Sequence, residues 1–147
     1  MNRDFAEMLN TLADEGVEYL VVGGYALAGH GLPRATGDID LWIRPTADNA
    51  ARLWRALERF GAPRSRVALE TFTEPDVVYQ IGLPPNRIDL LTTIDGVSFD
   101  DAWADRVECV VDGVPVRMLS RPHLIANKRA TGRPQDLADL VRLESFE

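Results

Sequence analysis

A pair of glycines, Gly23 and Gly24, interrupts the first strongly apolar segment of the chain. Val17 to Val22 is β-branched and aromatic, which favours a strand, and the stretch 25–30 after the glycines is compatible with a short helix. This segment constrains the fold most, because it predicts a strand, a tight turn and a helix in immediate succession.

Hydrophobic periodicity predicts the other elements, since apolar residues at helical spacing indicate helices and alternating or β-branched runs indicate strands. Asp112-Gly113 lies between two such runs and is the strongest two-residue hairpin signal in the chain. A second hairpin is expected across 82–86, whereas 62–76 lacks a clear period and is expected to be a loop. The expected helices are 3–15, 25–30, one between Thr46 and Gly61, 121–131 and 134–144, and the expected strands are 17–22, 38–44, 77–81, 87–92, 107–111 and 114–118.

These elements predict an α/β (α+β) fold, in which helices flank a mixed, twisted β-sheet of five or six strands and a short helical appendage follows. The chain has 147 residues, of which 46% are apolar and 27% charged, and this composition fits a single domain. We expect one domain over 1–147, with the sheet core in 1–118 and the C-terminal helices in 119–147.

Charge and cysteine content exclude several classes of protein. The 16 basic and 23 acidic residues give a net charge of −7, which argues against a protein that coats nucleic acid with a uniformly basic surface. We expect neither a membrane span nor a signal peptide, because no long apolar run is present. The single cysteine, Cys109, excludes an intrachain disulfide and a thiolate zinc cluster, and we expect a cytoplasmic protein.

Two carboxylates lie two residues apart on the strand predicted at 38–44. Because strand side chains alternate between faces, Asp38 and Asp40 should point the same way, with roughly 6 to 7 Å between their Cα atoms. Such a pair can bind one or two hard divalent cations, and Mg²⁺ or Mn²⁺ is the expected cofactor. Asp89 lies on a later strand, and its side chain should point to the face opposite that of Ile88 and Leu90. It offers the third carboxylate of a two-metal site. Alternatively, Asp89 is a residue of the hairpin without a functional role.

The glycine turn offers a complementary site for phosphate. Gly23 and Gly24 let the backbone approach a ligand closely, and the amides at the start of the following helix are suited to an anion. A triphosphate could therefore be bound by turn amides on one side and by metal on the other.

The segment from Gly113 to Gln135 contains five basic residues and no acid, which leaves −12 on the rest of the chain. It is either a solvated helix face or a basic wall for a triphosphate or an RNA end, and we favour the triphosphate. The five are Arg117, Arg121, Lys128, Arg129 and Arg133.

Together these motifs resemble the nucleotidyltransferase superfamily of DNA polymerase β. The combination is Gly23-Gly24, then Asp38-Ile39-Asp40, then Asp89 on a later strand. Within that superfamily, GGYALAGHGLPRATGDIDLWI and LIANKRATGRPQDLADL are similar to the small prokaryotic AbiEii-like group, which belongs to abortive-infection and toxin–antitoxin systems. The resemblance covers about residues 17–140.

The resemblance implies a polymerase β-type fold and a role for each matching residue. Asp38, Asp40 and Asp89 would be the catalytic metal ligands, with Asp89 beside the acceptor. Many members have Gly-Ser at the turn, whereas Gly24 stands in the serine's position here, so the hydroxyl contact to phosphate is lost and the amide remains. Arg34 and Thr36 are explained equally by turn chemistry, and Lys128 could instead extend to water. The candidate nucleotide-binding residues are Gly23, Gly24, Tyr25, Arg34, Thr36 and Lys128.

The implied activity is metal-dependent transfer of a nucleoside monophosphate from an NTP to a protein or to a tRNA end, with release of pyrophosphate. A separately encoded partner chain and a toxin–antitoxin or abortive-infection role are further expectations. The alternative is a non-catalytic nucleotide-binding or antitoxin-like partner module that keeps the fold.

Overall fold

One six-stranded mixed sheet forms the centre of the protein, in the strand order β3-β4-β2-β1-β6-β5. The computed structural model describes residues 1–32 and 37–145. Both predicted hairpins are confirmed, because β3 pairs antiparallel with β4 and β5 pairs antiparallel with β6. The strands are β1 (Tyr19–Val22), β2 (Ile39–Ile43), β3 (Val78–Ile81), β4 (Ile88–Leu91), β5 (Val107–Val111) and β6 (Val114–Met118).

Six α-helices accompany the sheet in the described residues, five of them at predicted places. Their caps follow the sequence: Thr46 accepts from the Asn49 amide at the start of α3, and left-handed Gly61 ends that helix. The helices are α1 (Arg3–Asp14), α2 (Gly23–Gly29), α3 (Ala47–Phe60), α4 (Phe99–Ala104), α5 (Arg121–Thr131) and α6 (Pro134–Glu144).

The structure differs from the sequence predictions at three places. Helix α2 begins at Gly23 itself, so the glycine turn forms the first turn of the helix. A 3-10 helix, Leu69–Thr73, lies within the predicted loop and buries Phe72. Helix α4 was not predicted, because its six residues are too few to show a helical period. It is stabilised by tertiary packing, with Phe99 edge-on to Trp42 at 4.9 Å between ring centroids.

The sheet buries a hydrophobic cluster on each face. Helices α1 and α3 cover one face, against Leu41 of β2 and Leu90 of β4. Helices α2, α4, α5 and α6 contribute to the cluster on the other face, around Trp42 of β2. Every helix in the described part of the chain is too short or too polar to cross a lipid bilayer.

The strand pairings bring distant sequence segments to one end of the sheet. Strand β1 runs antiparallel to β2 with Val22 opposite Asp40, so the glycine turn begins beside that carboxylate. Strand β2 runs parallel to β4 with Asp40 opposite Asp89. The topology therefore places the turn and two of the three predicted carboxylates next to one another.

Asn49 of α3 stabilises this arrangement from the face of the sheet that α1 and α3 cover. Its buried side chain accepts from the Glu18 amide at 2.8 Å and donates to the carbonyls of Glu18 and Arg44 at 3.0 and 2.9 Å. These contacts join α3 to the residue before β1 and the residue after β2. We expect Asn49→Ala to lower the free energy of unfolding by about 2 to 4 kcal/mol, because buried backbone groups lose their partners.

Urea denaturation checks this expectation. Asn10→Ala, the same change at an exposed position of α1, is the control and should shift the free energy of unfolding by less than about 0.5 kcal/mol. Equal effects of the two substitutions would contradict the role of Asn49.

Candidate nucleotide and metal site

An open cavity of about 560 Å³ lies where the glycine turn meets the first residues of β2 and β4, and we refer to it as the acidic cavity. The six predicted site residues that line it are Gly23, Gly24, Asp38, Asp40, Asp89 and Lys128. Gly37, Pro84, Pro85, Arg87 and Arg133 complete the described lining.

Strand geometry accounts for the direction of the carboxylates. Ile88 and Leu90, on either side of Asp89, are buried in the cluster under α1 and α3. Asp89 therefore points to the opposite face, the face of Asp40 and Trp42, as the alternation predicted. Its exposed fraction is 7%, so this carboxylate is almost withdrawn from water.

Gly23 is required by the closeness of Asp40. A Cβ atom at Gly23 would lie 2.3 Å from Asp40 Oδ2, and the residue has a φ of +68°. Both observations exclude a larger side chain without strain. The backbone of the turn is therefore packed closely against the carboxylate of Asp40.

The carboxylates repel one another. Burial is the largest cause that raises the pKa of Asp40 to about 6, followed by the charge of Asp89, a hydrogen bond with Asp89 and the charge of Asp38. The positive charge of Arg87 opposes this rise. A cation near Asp40 would favour its ionised form, so its surroundings suit a positively charged ligand.

Arg87 supplies a cation from the chain itself. Its Nε donates to Asp89 Oδ1 at 2.7 Å and one terminal nitrogen donates to Asp89 Oδ2 at 3.2 Å. A terminal nitrogen lies 3.2 Å from Asp38 Oδ2, and the Arg87 amide donates to Asp38 Oδ1 at 3.1 Å. The guanidinium therefore links two of the three carboxylates.

Lys128 is buried at the other side of the cavity, with 6% of its surface exposed. Its Nζ lies 3.1 Å from Asp136 Oδ1 and 3.4 Å from Asp139 Oδ2. Arg133 also donates to Asp136, and this bond is the main cause that holds the pKa of Asp136 well below its usual range. The Lys128 amine therefore contacts carboxylates of α6 instead of extending to water, and its contact with a nucleotide stays a prediction.

The five basic residues of segment 113–135 fall into two groups. Lys128 and Arg133 are its members among the described residues of the acidic cavity. Arg117 pairs with Glu108, Arg121 donates to the Leu143 carbonyl and Arg129 pairs with Glu144. The prediction that all five basic residues face one ligand is therefore wrong. Three of them instead bind carboxylates or a carbonyl of neighbouring elements.

Of the other three candidate residues, only Tyr25 belongs to the described part of the chain. Tyr25 lines a different, apolar cavity and packs edge-on to Phe5, with 5.6 Å between ring centroids. Arg34 and Thr36 lie outside the residues that the structure describes.

The donor set fits a divalent metal chemically. Three carboxylates line one cavity, and the Arg87 guanidinium already pairs with two of them, Asp38 and Asp89. Within residues 1–32 and 37–145, no group of three or more His, Cys, Asp or Glu side chains is placed so that it could hold a metal ion by itself. Mg²⁺ needs only one or two carboxylates when phosphates and water supply the other ligands, so the pair Asp38 and Asp40 is sufficient in principle.

Sequence reasoning assigned no role to Arg87, although a signal was present. Arg87 and Asp89 are two residues apart at the start of a strand, and this spacing places both side chains on one face. The proline loop at 84–85 had no such signal. It reaches the cavity only because it packs against Gly37, where a Cβ would lie 2.1 Å from the Pro85 carbonyl oxygen.

Comparison with known proteins identifies a family that spans nearly the whole chain. The model of a family described as "Nucleotidyltransferase of unknown function (DUF6036)" matches residues 3–144. No curated protein matches the sequence significantly.

Solved structures share the fold at low sequence identity. A protein from Thermotoga maritima, provisionally assigned as a nucleotidyltransferase, is 15% identical with a TM-score of 0.66, over 99% of this chain and 92% of the other. The lincosamide antibiotic adenylyltransferase LnuA, in its lincomycin-bound form, is 13% identical with a TM-score of 0.60, over 100% and 98%. The antibiotic-resistance factor ANT(2'')-Ia is 18% identical with a TM-score of 0.61, over 95% and 80%.

The closeness of Gly23 to Asp40 yields a test by substitution. We expect Gly23→Ala to destabilise the protein by about 2 kcal/mol or more, because the left-handed backbone alone costs about 1 to 2 kcal/mol and the new Cβ would strike Asp40. Gly61→Ala is the matched control, since Gly61 has a φ of +86° with nothing within 4 Å of its Cβ position. Thermal denaturation of the two variants should separate the clash from the backbone strain, and equal losses would refute the clash.

The raised pKa of Asp40 predicts a dependence of stability on pH in metal-free protein. The folded-state pKa of Asp40, about 6, exceeds the ordinary value of 3.8. The stabilising contribution of Asp40 to the free energy of unfolding is therefore fully present below pH 3.8. It is lost as the pH rises through about 6. Asp40→Asn cannot ionise, so we expect it to be more stable than the parent by about 2 kcal/mol at pH 8 and nearly equal to it at pH 3.5.

Denaturation in the presence of EDTA at several pH values measures this difference. Asp101→Asn, at an exposed position of α4, provides the control and should show no such dependence. A constant difference between Asp40→Asn and the parent across the pH range would count against mutual repulsion in the acidic cavity.

Proposed function

The chain belongs to this nucleotidyltransferase family, and on that premise we propose that it transfers a nucleoside monophosphate from an NTP to an acceptor hydroxyl and releases pyrophosphate. The observation that carries the proposal is the meeting of Asp38, Asp40 and Asp89 with the glycine turn in one cavity. The shared fold of known adenylyltransferases supports it.

In the proposed reaction, the acceptor oxygen attacks the α-phosphorus of the NTP. A new phosphorus–oxygen bond forms, the bond from the α-phosphorus to the bridging oxygen breaks, and pyrophosphate carries away the electron pair. Asp89 would receive the acceptor proton, since it is the most buried carboxylate of the three and adjoins Asp40. The chain would act mainly by positioning the reactants and by neutralising charge.

Asp38, Asp40 and Asp89 would hold Mg²⁺ or Mn²⁺, with phosphate oxygens as further ligands, and Asp89 would also face the acceptor. The bound metal would stabilise the charge that develops on the transferred phosphoryl group. The amides of Gly23 and Gly24 lie at the N-terminus of α2, where Gly23 is close to Asp40, and would donate to the phosphates.

A second cavity supports a place for the nucleoside. It has a volume of about 490 Å³ and shares Gly23, Asp40, Lys128 and Arg133 with the acidic cavity. Its other lining residues include the apolar Leu91 and Ile94 and the polar Asn127 and Thr131. A nucleoside in this second cavity would have its phosphates pass Lys128 and Arg133 on the way to the carboxylates.

The acceptor is a protein, a tRNA end or a small hydroxylated molecule. The first two follow from the AbiEii-like sequence resemblance, which is also the basis for proposing a toxin–antitoxin or abortive-infection role. The third is suggested by LnuA, a chain of similar length that is solved with lincomycin bound. A separately encoded partner chain would supply any acceptor-binding surface that these residues lack.

Label transfer tests the proposed reaction. The protein is incubated with α-labelled NTP, Mg²⁺ or Mn²⁺ and a cell lysate fractionated into protein, tRNA and small molecules. We expect label in one fraction, and we expect Asp40→Asn and Asp89→Asn to lower it at least about 100-fold, because each removes a group that acts on the reacting atoms. EDTA should have the same effect.

Asp101→Asn is the matched control and should transfer label at the parental rate. Calorimetric NTP binding without pyrophosphate release from any fraction would favour the non-catalytic module instead. Undiminished transfer by Asp40→Asn would overturn the assignment of the site, since that variant is expected to remain folded.

A further inference from the structure

Arg87 differs from the other two cations of the acidic cavity in the identity of its partners. Lys128 and Arg133 bind Asp136 of α6, which the proposed reaction does not use. Arg87 instead binds Asp38 and Asp89, the carboxylates that the reaction requires. A group that binds those two carboxylates must exchange with the Arg87 guanidinium.

The contacts of Arg87 are directional and numerous. Nε and a terminal nitrogen engage both oxygens of Asp89, while Oδ2 of Asp38 receives a further contact at 3.2 Å. Charge-assisted bonds of this kind are stronger than neutral ones, so their loss opposes the binding of any competing cation.

Arg87 is also free to move without disturbing the core. Its side chain is 25% exposed, and the rest of its strand is anchored by the buried Ile88 and Leu90. The guanidinium lies in the same cavity as Gly23 and Gly24, where the phosphates of an NTP are proposed to bind. Its planar, forked donors suit a phosphate as well as a carboxylate.

We propose that Arg87 is an internal counter-ion that occupies Asp38 and Asp89 until a metal–nucleotide complex displaces it, whereupon its guanidinium binds the phosphates. This inference rests on the proposed function and adds a positioning role for Arg87. The exchange makes metal and nucleotide binding cooperative, because the metal takes the partners of Arg87 and the nucleotide offers new ones. A metal ion alone binds weakly, since it displaces the guanidinium without replacing its contacts.

The test measures Mn²⁺ binding by electron paramagnetic resonance, first alone and then with a non-hydrolysable α,β-methylene NTP. In Arg87→Gln we expect the Kd of Mn²⁺ alone to fall about tenfold, because no guanidinium has to be displaced. We expect the Kd of the Mn²⁺–nucleotide analogue to rise about tenfold, because a phosphate ligand is lost. These opposite shifts would not arise from a merely structural role.

Two further variants complete the design. Arg87→Lys keeps the charge but not the forked geometry and should fall between the parent and Arg87→Gln in both measurements. It also serves as the test if Arg87→Gln fails to fold. Arg106→Gln removes an arginine of similar exposure, 30%, that lies near Glu108 outside the acidic cavity, and it should leave both constants unchanged.

The outcomes separate this inference from the proposed function. Unchanged or weaker binding of Mn²⁺ alone in both Arg87 variants would overturn the counter-ion role, while the parent still bound the complex and transferred label. A parent that bound neither Mn²⁺ nor the analogue would overturn both proposals together.

Discussion

The parallel register of β2 and β4 is the constraint on which the rest of the site depends. It sets Asp40 opposite Asp89, while the antiparallel register of β1 sets Val22 opposite Asp40. A slip of one residue in either pair would turn a carboxylate toward the hydrophobic cluster under α1 and α3. The apolar residues that alternate with the carboxylates therefore determine the strand register, and with it the direction in which the carboxylates point.

Holding three carboxylates together requires compensation, and the structure provides it in two separate ways. At the glycine turn, Arg87 bridges Asp38 and Asp89, and the pKa of Asp40 is raised to about 6. Farther away, Lys128 and Arg133 are balanced by carboxylates of α6. The first set of contacts joins carboxylates that the sequence predicted for the site, whereas the second ties α5 to α6 and keeps two cations at the edge of the cavity.

Much of the fold could be predicted because its signals are local. The Asp112-Gly113 turn, the Thr46 cap and the Gly61 terminator each act within a few residues, and all three were found where expected. Helix α4 was missed because it depends on packing against Trp42, a contact between distant parts of the chain. The 3-10 helix was missed for the same reason, since Phe72 is buried within the cluster under α1 and α3.

For the candidate site, residue types and spacing selected the glycine turn and the three carboxylates, whereas Lys128 was selected from the family resemblance. Those features are encoded locally, as a strand period of two and a turn that only glycine fits. The partners of the charged groups could not be obtained in this way. That Lys128 binds Asp136 and Asp139, that Arg87 bridges Asp38 and Asp89, and that Tyr25 packs on Phe5 follow from long-range packing and strand order. Electrostatic pairing depends on distance in space, which the sequence does not specify until the sheet is assembled.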